Sequence, residues 1–326
     1  MKLTYTNVLY ISAALFGMLL SPSAAQAQSV AAFPVESVDP VVRNDFVIGP
    51  GKVELEMSPG DAVETEITVT NRMGESKTFR IEIEDMTGSQ DPNTPVVLLG
   101  DDRGPYTLRD YVSVPVYEFT LEHGTRARIP VTVSLPVDAE PGGRYGSVLV
   151  STVSRDADDG ALSGAAPRSA IVGRVGALFF VRTPGITSQS GALVDFSTIP
   201  EQTVFNEGPI NFGLVYENTG SVHTNPYGYI SITNLSGEEV GFVELDPWFA
   251  LPNSLRQRDV TWEREQLFGK YTATAVINRG YDDQVDTQSV TFWVVNWQLI
   301  IAVFGGMMLL LLVVRYIGGR FEIRRR

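Results

Sequence analysis

The side chains best suited to chemistry are two histidines, His123 and His223, each set among turn-forming residues. A protein metal site needs several clustered ligands, and this chain of 326 residues has no Cys and only two His. Both histidines are therefore interpreted as solvated turn residues. We expect neither a metal nor any other cofactor.

Two groups of carboxylates are the remaining candidates for catalysis or ion binding. The run DADDG at residues 156–160 is similar to the start of a calcium loop, but the later bidentate Glu is missing. A hydrolase of wall material would need clustered carboxylates in a groove, and Glu82, Glu84 and Asp85 are the candidates. Alternation along a strand favours solvated side chains instead. The sequence also lacks a G-x-S-x-G elbow that would place a Ser nucleophile. The prediction is that the protein is not an enzyme.

Aromatic side chains in loops carry the remaining signal for binding. Tyr106 and Tyr111 lie in or near a long loop of the first half, and Trp248 and Phe249 lie in a loop of the second. Exposed aromatic rings on loops suit stacking on sugar rings or contact with a partner protein. The alternative is that the rings close the ends of folded cores. These four residues are the candidate ligand contacts.

Period-two alternation of apolar and polar residues runs through most of the chain, as is typical of half-buried β-strands. Residues 63–70 alternate in this way and, after a turn at residues 71–74, so do residues 79–84, which predicts a hairpin. Residues 85–109 form a loop longer than an ordinary connection. Helical periodicity is confined to the two chain ends. The predicted fold class is all-β.

The strand pattern pauses near residues 183–185 and then begins again. Gly143-Arg144-Tyr145 opens a late strand in the first half, and Gly269-Lys270-Tyr271 does so in the second. A Tyr in this position of a β-sandwich can form a tyrosine corner, in which its hydroxyl bonds to upstream backbone. The repeat predicts two tandem Ig-like β-sandwich domains, residues 28–184 and 185–296, with Tyr145 and Tyr271 as their tyrosine corners.

Both ends of the chain contain long apolar runs. Lys2, the apolar residues 8–20 and the sequence AQA at residues 25–27 predict a signal peptide over residues 1–27. The uncharged run from Trp297 to Val314 is close to the ~20 residues that a helix needs to cross a bilayer. It predicts a single transmembrane helix over residues 297–317, followed by a short basic tail at residues 318–326.

The residues that flank this run predict its orientation. Trp293 and Trp297 are expected at the membrane interface as anchors. Arg315 and the arginines of the tail follow the run, so the positive-inside bias places the tail in the cytoplasm. The prediction is a single-pass type I protein of a bacterial cell membrane, with its folded part outside.

The charge of the chain excludes one class of partner. The formal net charge is −13, and the exported part is more acidic still because the signal peptide and the tail carry basic residues. Such a surface repels phosphate backbones, so we expect no nucleic-acid partner. Because the chain has no Cys, apolar packing rather than disulfides must stabilise the exported domains.

The order of these features resembles that of the WxL-interacting proteins, bacterial cell-surface proteins whose strand patterns loosely resemble those of PapD-type pilus chaperones. The phrases that carry the resemblance are PG at residues 59–60, ITVTN at 67–71, RIPVTVSLPVDAEPGGRYGSVLV at 128–150, ENTGSVHTNPYGYISITNLSGEEVGFVEL at 217–245, LPNSLRQRDVTWE at 251–263 and LFGKYTATAVI at 267–277. Tyr111 stands where the family tends to have Trp, and residues 155–168 match no pattern of the family. The resemblance implies a distal domain associated with peptidoglycan and a membrane-proximal domain that binds host or partner proteins.

Two functions follow as hypotheses. The leading one is a non-enzymatic, membrane-anchored surface protein that binds cell-wall polymer, namely peptidoglycan, or a surface protein. The alternative is a chaperone-like assembly factor that acts by β-strand addition at a sheet edge. A pair of basic residues in the cleft between the domains would favour the alternative, and Arg174 and Arg182 are the candidates.

Overall fold

The computed structural model describes residues 33–38, 41–153 and 173–320. The predicted signal peptide, the acidic run at residues 156–160 and the last six residues of the predicted tail lie outside the described residues. The described part consists mainly of strands and ends in one long helix.

The first half contains β1 (Val35–Ser37), β2 (Asp45–Gly49), β3 (Lys52–Glu56), β4 (Ala62–Arg72), β5 (Lys77–Thr87), β6 (Val97–Leu98), β7 (Val112–Ser113), β8 (Glu118–Leu121), β9 (Thr125–Ser134), β10 (Gly142–Thr152) and β11 (Arg174–Thr183), with a 3-10 turn at Arg109–Tyr111 before β7. The second half contains β12 (Gly191–Ile199), β13 (Val204–Phe205), β14 (Ile210–Asn218), β15 (Tyr227–Asn234), β16 (Glu239–Leu245), β17 (Ser254–Trp262), β18 (Gly269–Asn278) and β19 (Val285–Val294), and the chain continues into helix α1 (Trp297–Arg320).

Two sheets enclose the core of the first half. One has the strand order β1-β9-β4-β2, with β7 also paired to β9, and the other has the order β3-β11-β10-β5-β6, with β8 also paired to β5. Inward-facing residues of both sheets, such as Ile67, Ile81, Ile129 and Phe179, form one buried cluster. The β3–β11 pair is parallel. Thus β2 and β3, which follow each other in the chain, belong to opposite sheets.

The predicted hairpin of β4 and β5 is wrong. β4 pairs with β2 and β9 in one sheet, whereas β5 pairs with β6, β8 and β10 in the other. Ile67 of β4 and Ile81 of β5 point into the same core from opposite sheets. Residues 73–76 therefore connect one sheet to the other. Alternation identifies a strand and its buried face, but it does not identify the sheet in which the strand lies.

Two further sheets enclose a separate core in the second half. Their strand orders are β12-β14-β17 and β13-β19-β18-β15-β16. Phe212, Ile232, Trp262 and Phe292 are among the residues buried between them. β19 runs directly towards α1, so the end of the second half at which β19 finishes is the end from which the helix leaves.

The long connection after β5 is organised by one buried carboxylate. Asp85 accepts hydrogen bonds from the Thr107 hydroxyl at 2.5 Å and from the backbone N–H groups of Leu108 and Arg109, each at 2.9 Å. A carboxylate that accepts several bonds from one segment fixes its path. Asp85 therefore holds the end of the loop against β5.

Helix α1 matches the predicted span and extends three residues beyond it, to Arg320. Its segment Ile300–Ile317 has a mean hydropathy of 2.4 and none of it is buried. A helix this long and apolar could cross a membrane. The prediction of a mostly β chain that ends in one apolar helix is confirmed at this level.

Candidate functional site

Two of the aromatic residues expected to contact a ligand lie against the two cores. Trp248 is only 5% exposed and belongs to the core of the second half. The expected exposure of Trp248 is wrong, because burial of a large indole in a neighbouring core stabilises the fold more than its display on a loop would. Tyr111 is half-buried against the core of the first half, with the Arg144 guanidinium carbon 5.9 Å from its ring centre.

The other two aromatic residues lie between the halves. An interface cluster is formed by buried Met86, Tyr145, Phe180 and Leu251, around which Tyr106 and Phe249 are half-buried. The Phe180 and Phe249 rings lie 5.0 Å apart between centres, and the Tyr106 and Tyr145 rings 5.8 Å apart. Because Phe249 and Leu251 come from the second half and the rest from the first, these rings join the halves.

The two predicted tyrosine corners differ in structure. The Tyr271 hydroxyl donates to the Phe268 carbonyl at 3.1 Å and accepts from the Phe268 N–H at 3.2 Å, so it bonds to upstream backbone as predicted. The Tyr145 hydroxyl instead accepts from the backbone N–H of His223 at 2.7 Å. The predicted corner at Tyr145 is therefore wrong. The second half packs over this end of the first, so the hydroxyl meets a donor there before any upstream backbone.

A small set of charged groups surrounds His223 at the same interface. The Lys52 ammonium donates to the Glu54 carboxylate at 2.9 Å and lies 5.8 Å from the centre of the Phe180 ring. Asn225 also donates to Glu54, at 3.2 Å. Burial raises the pKa of the Glu54 carboxyl, but the hydrogen bond and charge of Lys52 outweigh this effect and hold the pKa below its ordinary value.

His223 itself is neutral near pH 7. Burial lowers the pKa of its imidazole to about 4, against the opposing attraction of the Glu54 carboxylate. Its Nε2 lies 3.7 Å from that carboxylate. The expectation that His223 is a solvated turn residue is therefore wrong. It is a buried group of the contact between the halves, and no sequence signal distinguished it from a surface histidine.

Backbone hydrogen bonds also join the halves. The N–H of Leu255 donates to the Ser89 carbonyl at 2.9 Å, and that of Gln257 donates to the Pro92 carbonyl at 2.8 Å. The Gln90 side-chain amide adds a bond to the backbone carbonyl of Asn253 at 2.7 Å. The loop at residues 88–92 thus pairs with the beginning of β17. These bonds, together with the interface cluster, fix one half against the other.

The carboxylates suspected of lining a groove have other roles. Arg174 pairs with Glu82 at 3.0 Å and also with Glu84, while Asp85 holds the loop described above. They do not present a common set of free oxygens. Within residues 33–38, 41–153 and 173–320, no group of three or more His, Asp or Glu could hold a metal ion.

The predicted basic pair is not assembled in the cleft. Arg174 and Arg182 lie near opposite ends of β11, about 26 Å apart at the ~3.3 Å rise per strand residue. Arg182 contributes to the charge around His223 at the interface, whereas Arg174 pairs with the glutamates of β5. Lys52 is the second cation near the interface, and no local pattern distinguished it from other lysines of the chain.

One side of β11 is partly unpaired among the described residues, and we call this stretch the open edge. On one side β10 pairs with β11 from Arg174 to Thr183, but on the other side β3 pairs with it only from Leu178 to Arg182. In the part of the chain that the structure describes, no strand pairs with that second side between Arg174 and Ala177.

The open edge exposes both backbone groups and apolar surface. The Leu178 N–H donates to Gly51 on this side, so Arg174 and Gly176, which share its alternation, direct their backbone groups to the same side. Val175 shares the alternation of Ala177 and Phe179, which are buried in the core, yet Val175 is 41% exposed. An apolar side chain on the core face is therefore accessible beside an unpaired stretch of backbone.

Several other edges of the described sheets carry common protective devices. β1 has three residues and β6 and β7 have two each, which is too short to pair with another chain. β16 carries the exposed charges of Glu239 and Glu244. β17 is covered at its start by residues 88–92.

Two of the three predicted membrane anchors, Trp293 and Trp297, lie at the end of the second half from which α1 leaves. Trp293 is near the end of β19, Trp297 begins the helix, and both are exposed. Arg315 is an exposed residue near the other end of the helix. Trp293 and Trp297 thus lie at the start of the uncharged run and Arg315 directly follows it, and their role as anchors stays a prediction.

No protein-family model matches the chain, and no curated protein matches it. Among solved structures, the chain is similar to a chaperone–tip adhesin complex of CFA/I fimbriae biogenesis, with 13% identity, a TM-score of 0.37 and coverage of 75% of this chain and 98% of the other. It is also similar to the class 5 fimbriae chaperone CfaA, with 12% identity, a TM-score of 0.35 and coverage of 75% and 98%. A third similar structure is the E. coli chaperone DraB, with 14% identity, a TM-score of 0.34 and coverage of 76% and 95%. All three TM-scores lie below 0.5.

Proposed function

We propose that this protein is a non-enzymatic, membrane-anchored protein that binds a protein partner by β-strand addition at the open edge of β11. The observation that carries this function is a coincidence: no described strand pairs with the backbone of Arg174 and Gly176 on this side, and the core-facing side chain of Val175 beside them is exposed. An added strand would satisfy the backbone groups and cover the valine.

The aromatic residues support this function over sugar stacking. Trp248 lies in a core, and Tyr106 and Phe249 lie in the interface cluster. Binding to peptidoglycan stays a prediction without assigned residues. A mechanism by strand addition needs no flat aromatic surface and uses the backbone of the partner, so its specificity comes from the side chains on either side of Val175.

The fixed pair of halves gives this edge a defined position. The halves are two Ig-like β-sandwiches in this proposal, supported by two sheets around each core. Residues 248–257 contact the first half at one end of the second half, and α1 leaves from the other end. If α1 crosses the membrane with Arg315 on the cytoplasmic side, the first half is held about 30 Å further from the bilayer by strands of nine residues.

Membership of the WxL-interacting family is part of the same proposal. It is supported by the phrases at residues 67–71 and 128–150, which form parts of β4, β9 and β10, and by the order of two halves before an apolar helix. The resemblance implies that partner proteins bind the membrane-proximal domain, whereas the proposed edge lies in the first half. The position of the edge is therefore argued from the structure of β11 and not from the resemblance.

The test is site-specific photocrosslinking of the full-length protein in cells. A photoreactive amino acid at Val175 is expected to crosslink to a protein, and the same amino acid at Val137, an exposed apolar residue of a turn, is the matched control. A protein adduct at position 175 and none at 137 would support strand addition. No adduct at 175, or equal adducts at both positions, would contradict it.

Sedimentation of the purified full-length protein with insoluble peptidoglycan separates the earlier hypothesis from this one. Two results together would favour binding to peptidoglycan as the function. The Val175→Lys variant would still sediment with peptidoglycan, and the photoreactive amino acid at position 175 would give no protein adduct. The two assays have independent readouts. Absence of a protein adduct at position 175 counts against strand addition, and absence of sedimentation counts against binding to peptidoglycan.

A further inference from the structure

The end of the second half from which α1 leaves carries exposed apolar side chains on four segments. Leu235 in the β15–β16 turn is 74% exposed, Phe268 before β18 is 67% exposed, and Val204 in β13 is 57% exposed. Trp293 of β19 is 44% exposed beside them. We call these four residues the apolar rim.

Strand register places the rim at one end of the fold. Val204 is paired with Trp293. Gly269, which follows Phe268, is paired with Val294, and Asn234, which precedes Leu235, is paired with Tyr271. The four rim residues therefore lie on neighbouring strands or turns. All of them are at the end of the sheet where β19 finishes and α1 begins.

Phe268 is held in place by its neighbours. Its backbone N–H and carbonyl both bond to the Tyr271 hydroxyl. The ring of Tyr271 is itself buried, stacked on Phe292 with 5.8 Å between ring centres. A large exposed ring on a fixed backbone loses little conformational entropy when it contacts another surface.

The chain connection limits what can face this rim. Only Val295 and Asn296 separate β19 from α1, so the Cα atoms of Val294 and Trp297 are at most ~11 Å apart. If α1 crosses a bilayer with Trp297 at its interface, the rim lies at the depth of the headgroups. Aromatic and aliphatic side chains are stable at that depth.

The charges near the rim indicate the kind of lipid. Glu238, Glu263 and Glu265 are exposed close to Leu235 and Phe268, with Arg264 and Lys270 as the neighbouring cations. Excess negative charge repels anionic headgroups. Contact must therefore come from insertion of apolar side chains and not from attraction of basic residues to the surface.

We propose that the apolar rim seats the second half on the membrane that α1 crosses, with Phe268 and Leu235 inserted among uncharged or zwitterionic headgroups. This inference rests on the membrane anchoring that is part of the proposed function. It goes beyond that function because it makes the folded second half, and not the helix alone, a membrane-contacting body. The orientation of the first half would then be fixed relative to the bilayer.

The absence of Cys from the chain permits a direct test. The full-length variants Phe268→Cys and Leu235→Cys, each labelled with a polarity-sensitive fluorophore, are reconstituted in phosphatidylcholine nanodiscs. The matched control is Ile186→Cys, a fully exposed apolar residue in the connection before β12, at the opposite end of the second half. Leu309→Cys, in the middle of α1, reports the span itself.

The expected result is that the labels at 268 and 235 are quenched by nitroxides attached to lipid and protected from aqueous iodide, relative to the label at 186. Replacement of half of the lipid by phosphatidylglycerol is expected to reduce this protection. Labels at 268 and 235 that are as accessible to iodide as the label at 186, while the label at 309 is protected, would overturn the rim contact and leave the span intact. An iodide-accessible label at 309 would overturn both.

Discussion

The Tyr145 hydroxyl accepts a 2.7 Å hydrogen bond from the backbone N–H of His223, which belongs to the other half of the protein. The ring of Tyr145 is fully buried, and its edge contacts the imidazole, with 5.6 Å between ring centres. Burial raises the pKa of the Tyr145 phenol above its ordinary value, so it remains a neutral hydroxyl. This pair ties the end of the first half to the end of the second at a point where water is largely excluded.

Removal of this hydroxyl should weaken the contact between the halves. Tyr145→Phe leaves the N–H of His223 without its acceptor, and an unsatisfied buried donor costs about 1–3 kcal/mol. We expect a fall of that size in the free energy of unfolding, measured by urea denaturation of the full-length protein in detergent. Tyr117→Phe, at an exposed tyrosine, should change it by less than ~0.5 kcal/mol. Equal effects of the two substitutions would contradict the role of Tyr145.

Acidification should destabilise the same contact. The pKa of His223 is about 4 in the folded protein and ~6.5 in an unfolded chain, so between these values the unfolded state binds more protons than the folded state. Stability contributed by neutral His223 is complete above pH ~6.5 and is lost as the pH falls towards 4, by an amount on the order of 1–3 kcal/mol.

The measurement is the free energy of unfolding between pH 7 and pH 5, a range above most carboxyl titrations. The His223→Gln variant keeps the backbone donor but has no imidazole, so the difference between the two proteins isolates the histidine. A wild-type slope with pH that matches the slope of His223→Gln would show that His223 is not the group responsible.

Asp85 should be necessary for the path of the long loop. Asp85→Asn removes the charge that the N–H groups of Leu108 and Arg109 share and presents an amide donor to them, which should cost about 2–3 kcal/mol. We expect faster proteolysis within residues 88–106 together with lower stability. Asp138→Asn, at an exposed aspartate, should leave both unchanged. Proteolysis of Asp85→Asn at the wild-type rate would contradict the role of Asp85 in fixing the path of the loop.

A charge at the open edge should block strand addition without unfolding the protein. Val175→Lys places an ammonium beside the unpaired backbone, the device by which natural edge strands avoid pairing, and the side chain is exposed enough for the stability to change by less than ~0.5 kcal/mol. The partner that crosslinks at position 175 should no longer copurify with Val175→Lys. It should be retained by Val175→Thr, which keeps the shape and the β-branch. Equal retention by both variants would place the partner elsewhere.

Local pattern was sufficient for much of the fold. Alternation over residues 63–70 and 79–84 predicted β4 and β5, because a strand with one face in a core must place apolar side chains at every second position. The uncharged run from Trp297 predicted α1, because its length and apolar composition are properties of that segment alone. These properties depend on neighbours in the chain.

Only the tertiary structure decided what the chemistry-bearing residues contact. Gly143-Arg144-Tyr145 and Gly269-Lys270-Tyr271 have the same local pattern, but Tyr271 bonds to a residue three positions upstream and Tyr145 to one in the other half. Burial of Trp248 and the open edge beside Val175 likewise depend on which segments pack there, and β3 and β11 meet although most of the first half separates them in sequence. The physical reason is that burial and pairing are set by the free energy of the whole chain, in which distant segments compete for the same surface, and alternation records only which face of a strand is covered.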